Sequence, residues 1–268
     1  APFVIERNSF QTEVSAIHII MEDLIKEIRE KYPRPLIGIV GATHPQRTGY
    51  DPRMGQIIGY ELRKHVGEKG GFLFTGGVEG VGIDVYKGVV AACQPAAESS
   101  EKEPEDDRFF VLTPTHVLSH LMNIMGEFGG EDFGEIVKMP YALPSRYKTL
   151  AERTLSKEIR IISAGESMDE RRRYLSQIAD SLVMVNGGMG TLDEVFGAIK
   201  YKKPVVSVTL TGGAATFLEV FKKTPDGFSE LLEKLGYTSE ELDVSLIHPV
   251  EDIPEMISTL ERLVYQSN

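Results

Sequence analysis

Val183-Met-Val-Asn-Gly-Gly-Met-Gly-Thr-Leu-Asp-Glu-Val-Phe196 decides the fold, because an apolar β-type run breaks there into glycines and then takes up a helical pattern. Such a stretch predicts a strand, a tight turn and a helix start. Gly187, Gly188 and Gly190 admit positive φ and close backbone approach, and Thr191 is placed to cap the helix. The free N–H groups and dipole of that helix face whatever enters the turn, Met189 included, and the natural guest is an anion. The spacing is neither G-x-G-x-x-G nor G-x-x-x-x-G-K-[ST], so it is not a standard dinucleotide or P-loop fingerprint. Glu194 falls in the first helical turn, beside the expected anion. A carboxylate next to a phosphate is repulsive unless it serves the chemistry there, whereas Asp193 reads as a solvated or dipole-complementing acid.

Outward from this stretch the pattern alternates cleanly. On the C-terminal side, Pro204 to Leu210 reads as a strand, Ala214 to Lys222 and Phe228 to Leu235 as helices, Ser245 to Val250 as a last strand and Ile253 to Tyr265 as a closing helix. On the N-terminal side, a strand from Ile159 to Ala164 and a helix from Met168 to Ile178 lead into the strand at Leu182, and the helix after the glycine turn runs from Leu192 to Tyr201. Leu36 to Ala42 is a short buried strand with Thr43 and His44 at its carboxyl end, followed by a helix from Pro52 to Glu68. Gly71 to Gly77 is a second strand, and Thr75-Gly-Gly-Val-Glu-Gly-Val-Gly82 is a second glycine-rich turn into a helix ending at Cys93. Strands separated by helices mean an α/β fold, here a doubly wound, mostly parallel, Rossmann-like sheet, and the whole chain is expected to form one domain. Residues 1–35 add an N-terminal helical extension, amphipathic over Val14 to Ile28 and richer in apolar positions than one buried stripe needs. Ligands of such sheets bind beyond the carboxyl ends of the strands, which brings Thr43, Gly76 and Gly77 towards the Gly187 turn.

The rest of the chain is less telling. Gln94 to Asp107 is polar and acidic without hydrophobic period and reads as a surface loop, Arg108 to Pro114 as a third strand, and Asp132 to Lys157 carries a locally basic run. His116 and His120 stand at i, i+4, yet no acid completes a metal-binding H-E-x-x-H, and no metal site is expected. The single cysteine excludes an internal disulfide, and the net charge of −11 argues against non-specific nucleic-acid binding. No apolar run approaches the roughly 20 residues of a membrane span and no signal segment opens the chain, so no membrane partner is expected and the reading is cytoplasmic.

Asn186-Gly-Gly-Met-Gly-Thr-Leu-Asp-Glu194 resembles the P-G-G-x-G-T-x-x-E signature of the LOG (LONELY GUY) phosphoribohydrolases, a family long called possible lysine decarboxylases. Asn186 stands where that signature has proline. Ser167-Met-Asp-Glu-Arg-Arg-Arg173 is similar to the family's M-H-x-R-K segment: Met168, Arg171 and Arg172 match, while Asp169 replaces histidine. Arg171 precedes Glu194 by 194 − 171 = 23 residues, the family's separation of its paired Arg and Glu. The resemblance is specific from Ile159 to Leu210 and looser from Leu36 to Cys93.

It implies hydrolysis of the N-glycosidic bond of AMP or an N6-modified AMP to free base and ribose 5-phosphate, without a cofactor, in a homodimer. Glu194 and Arg171 would then be catalytic, with Gly187, Gly188, Met189, Gly190, Thr191, Gly76, Gly77, Thr43, Met168 and Arg172 around the nucleotide. A carboxylate can stabilise the oxocarbenium-like sugar or take a proton from the attacking water. Arg171 can stabilise the departing base or pair with the phosphate, and a salt bridge between helices is the structural reading of the same two residues. Lysine decarboxylation itself is rejected, since it needs pyridoxal phosphate on a lysine and these turns contain none. The alternative is a nucleotide- or molybdenum-cofactor-binding protein of the same fold that does not hydrolyse its ligand.

Overall fold

The computed structural model describes residues 10–45, 49–76, 80–93, 108–114 and 160–266. In chain order the described elements are α1 (Phe10–Lys31), β1 (Leu36–Gly41), α2 (Pro52–Lys69), β2 (Phe72–Thr75), α3 (Val81–Cys93), β3 (Phe109–Thr113), β4 (Arg160–Ser163), α4 (Met168–Ile178), β5 (Ser181–Val185), α5 (Met189–Lys200), β6 (Val205–Val208), α6 (Ala214–Lys223), α7 (Ser229–Leu235), β7 (Ile247–Val250) and α8 (Ile253–Leu260). Gly77, Glu79, residues 94–107, His116, His120 and residues 132–157 lie outside the described residues.

The strands form one seven-stranded sheet in the order β4-β3-β2-β1-β5-β6-β7, and every pairing is parallel. The doubly wound α/β architecture is therefore as the alternation implied. Side chains alternate across each strand, and both faces are buried. Leu36, Val40, Phe74, Leu182 and Met184 face one core layer with α1, α4, α5 and α6, while Ile37, Ile39, Leu73, Val183 and Val185 face the other with α2, α3 and α8.

Strand order reverses between β1 and β5. β1 leads through β2 and β3 to β4 on one side, whereas β5 starts the other half on its far side. Gly41 pairs with Val185, so the two strands end together, and their carboxyl ends open the crevice where this class of sheet places ligands. Gly76 follows β2 and Gly187 follows β5, one on each side of β1 and both at this same edge.

Several boundaries move for local reasons. α5 begins at Met189, with Gly188 as its N-cap, instead of at Leu192. Thr191 is consequently the third helical residue rather than the cap, and its Oγ1 accepts the Gly188 N–H at 3.4 Å. β6 stops at Val208 because Thr209–Thr211 winds into a 3₁₀ turn, and β7 starts only at Ile247 because Val244–Leu246 does the same, with Asp243 accepting from the Ser245 N–H.

The N-terminal extension is tied to the sheet. From Met21 onward α1 presents Met21, Leu24, Ile25 and Ile28 to the core layer that contains α4. Arg29 donates to the Ile178 carbonyl at 2.8 Å and to Asp180 at 3.1 Å, Arg34 also pairs with Asp180, and that carboxylate accepts the Leu36 N–H at 2.8 Å. Among the described residues, no helix is long and apolar enough to cross a membrane.

Candidate functional site

The glycine turn is assembled from two neighbouring strand ends. Asn186 takes a left-handed φ of 57°, and Gly187 follows at 110°, a value that side-chain-bearing residues rarely adopt. Asn186 is fully buried; its N–H donates to Thr211 Oγ1 at 2.6 Å and its Nδ2 to the Thr211 carbonyl at 2.9 Å. Two N–H groups at the start of α6, those of Ala214 and Ala215, donate to the carbonyls of Gly187 and Asn186. With its carbonyls held from behind, the turn has its remaining polar groups, the N–H donors that open α5, on the crevice side. This explains the residue that departs from the family signature, since proline has neither the N–H nor access to that φ. Thr211 and the Gly212-Gly213 pair were missed by reading from sequence. Their signal was a third glycine pair just beyond a strand, of the same kind as the two that were read.

Behind the turn, Arg171 and Glu194 meet. Ser167 opens α4 by accepting the Glu170 N–H, which sets Arg171 one helical turn in, facing the start of α5. Arg171 Nη1 donates to Glu194 Oε1 at 2.5 Å, and these residues are only 4% and 5% exposed. Burial pushes the Glu194 carboxyl up from its ordinary range, against the downward pull of the Arg171 and Arg172 charges. Oε1 is taken by the arginine; among the described residues Oε2 makes no hydrogen bond. Arg171 also lies against Gly76, where a Cβ would come within 1.6 Å of Nη1. Both glycine turns thus converge on one ion pair.

Arg172, the next residue, points to the other side of the α5 start. Its guanidinium lies over Gly190, pairs with Asp169 at 2.7 Å and approaches Asp193 at 3.7 Å. Asp169, which replaces the family's histidine, thereby anchors Arg172. Asp193 is less free than a solvated acid, for it also accepts from the Tyr237 hydroxyl at 3.0 Å.

Thr43 is exposed just past β1, and Ala42 beside it accepts the Val81 N–H that opens α3. Gly188 and Met189 are exposed on the turn, and Met168 is exposed at the start of α4. Among the described residues, neither Thr43 nor Met168 makes a hydrogen bond to the ion pair or to the turn. Gly77 lies outside the described residues.

The family model described as "Possible lysine decarboxylase" matches residues 142–256. No curated protein matches the chain. Among solved structures the chain is similar to TM1055, a structural-genomics target, at 19% identity and a TM-score of 0.46, covering 85% of this chain and 99% of that one. It is similar also to the molybdenum cofactor carrier protein MCP from Chlamydomonas reinhardtii at 18% identity and a TM-score of 0.45, covering 86% and 98%. A third is DNA processing protein A from Helicobacter pylori, at 16% identity and a TM-score of 0.45, covering 88% and 83%. The family match spans α4, the glycine turn and the Arg171–Glu194 pair together, so it is over the residues that build this site that the chain is similar to the family described as possible lysine decarboxylase.

Proposed function

We propose that the protein is a phosphoribohydrolase acting on a nucleoside 5′-monophosphate, AMP or an N6-modified AMP. The observation that carries this reading is the buried Arg171–Glu194 pair, set directly behind the glycine turn that follows β5 at the switch point. In this reading the phosphate sits on the α5 N-terminus near Gly188 to Thr191, with Arg172 beside Gly190 as a second contact.

Arg171 holds Oε1 of Glu194 and leaves Oε2 for the attacking water. The water oxygen bonds to C1′ of the ribose as its proton passes to Glu194; the C1′–N bond breaks, and the base leaves with the bonding electrons and is protonated from solvent. General-base help of this kind is worth roughly 10² to 10⁴ in rate. Burial, which raises the Glu194 carboxyl, makes it a better proton acceptor than an ordinary glutamate. The substrate is a small molecule, no bound cofactor enters the reaction, and a homodimer in a cytoplasmic setting is part of the same proposal.

A second reading has its own observation. With both partners almost fully enclosed and bonded at 2.5 Å, the pair can serve as a structural tie under a site that binds a nucleotide without cleaving it. Ribose 5-phosphate release from AMP separates the two. Enzyme-dependent release that falls about 10²-fold or more in Glu194→Gln, with AMP binding kept, is the expected result. Saturable AMP binding without release over hours would leave the binder.

A further inference from the structure

The side-chain groups on the two sides of the α5 start are separated by a single residue step. Arg171 turns to Glu194 and the crevice, whereas Arg172 turns to a cleft between α4, α5 and the α7 end at Tyr237. This cleft has a volume of 650 Å³, within the range of sites for small organic ligands. Its floor is where Ser176 bonds the Glu194 carbonyl at 3.0 Å and Gly197 lets α4 and α5 approach closely.

The walls are unusually cationic for so acidic a chain: Arg172, Arg173, Lys200 and Lys234 against Asp169 and Asp193. The carboxylates are already engaged. Asp169 is paired with Arg172, and Asp193 accepts from Tyr237 with Arg172 nearby. Lys200 is paired with Glu241 at 3.1 Å. That leaves Arg173 and Lys234, both exposed, with no hydrogen bond or ion pair among the described residues. They flank two phenol rings, Tyr201, which is 44% exposed, and the half-buried Tyr237.

From this juxtaposition we infer that the cleft is a second ligand site, separate from the crevice, for a phosphorylated ring-bearing molecule of mononucleotide size. Arg173 and Lys234 take the phosphate, and the Tyr201 face takes the ring, with Arg172 forming the wall shared with the glycine turn. Arg and Lys supply charge-assisted hydrogen bonds to phosphate oxygens, and an exposed tyrosine face stacks on a base. Nothing in the cleft depends on Glu194 acting as a base.

Calorimetric titration with AMP tests this, performed on the full chain carrying Glu194→Gln so that the probe is not consumed. Two sites per chain are expected, and adding Arg173→Glu with Lys234→Glu should weaken one of them by roughly tenfold or more while the other is unchanged. Both substitutions are at exposed positions, and an unchanged melting temperature confirms the fold. No binding, a single site or two sites that ignore the charge reversals, or loss of two sites together would overturn the proposal. So would light scattering in which the charge reversals convert a dimer to a monomer, because the cleft would then be an interface between copies. Failure of the hydrolase reading appears elsewhere, as absence of ribose 5-phosphate from the unmodified protein, and leaves intact the site that the charge reversals weaken.

Discussion

Arg171 lies across Gly76 so closely that a Cβ at that glycine would fall 1.6 Å from its Nη1. The second glycine turn is therefore steric room for the guanidinium that holds Glu194. Gly76→Ala should displace Arg171 and break its bond to Glu194, lowering ribose 5-phosphate release about as far as Arg171→Ala does. Overpacking at a buried site also costs stability, about 1 to 3 kcal/mol, measurable by urea unfolding. Gly76→Ala with unaltered turnover would show that the position of Arg171 is immaterial.

The pH profile should carry the mark of the enclosed carboxyl. Glu194 must be unprotonated to accept a proton, and burial raises the pH at which it becomes so. The rate at saturating AMP should accordingly fall on acidification at a pH above the ordinary glutamate range. Arg172 pulls the Glu194 carboxyl down, so Arg172→Gln should move this acid limb to still higher pH. An acid limb that stays in place in Arg172→Gln would assign it to another group.

Asn186→Pro restores the residue of the family signature and should nonetheless destabilise this chain. It removes the N–H that donates to Thr211 Oγ1 and the side-chain bond to the Thr211 carbonyl, and it forbids the left-handed φ of 57°. A loss of roughly 3 kcal/mol or more is expected in denaturant unfolding. Thr211→Val, which keeps the shape and removes only the hydroxyl, should cost about 1 to 3 kcal/mol. Wild-type stability in Asn186→Pro would mean that the turn does not depend on this clamp.

Asp180→Ala should release the N-terminal extension. Its carboxylate accepts from Arg29, Arg34 and the Leu36 N–H, so truncation leaves a backbone donor at the start of β1 without its partner. About 2 to 3 kcal/mol of stability should be lost. Faster hydrogen exchange at Leu36 and along the C-terminal half of α1 would locate the effect, and unchanged exchange there would show that apolar packing alone holds the helix.

Much of the architecture was legible because its signals are local. Strand and helix periods are written in consecutive residues, so Met168–Ile178 was placed at its observed bounds and the Gly187 turn at the end of its strand. Glycine pairs marked two strand ends for the same reason, since backbone close to a ligand or a guanidinium leaves no room for a side chain.

Tertiary structure decided what lies between distant residues. That Gly76 shelters Arg171, that Thr211 clamps Asn186, and that Tyr237 ties up Asp193 are contacts across 25 or more positions, created when parallel strands bring their carboxyl ends to one edge. The same closure set the N-cap of α5 at Gly188 rather than Thr191, because the carbonyls of Asn186 and Gly187 are held by the N–H groups of α6. Sequence alone named the glycines, Arg171 and Glu194 through spacing and family likeness. Only packing around β1 and β5 put the two side chains in contact, and only packing divided Arg171 from Arg172 onto opposite sides of one helix start, because direction in space is set by the whole sheet and not by any one segment.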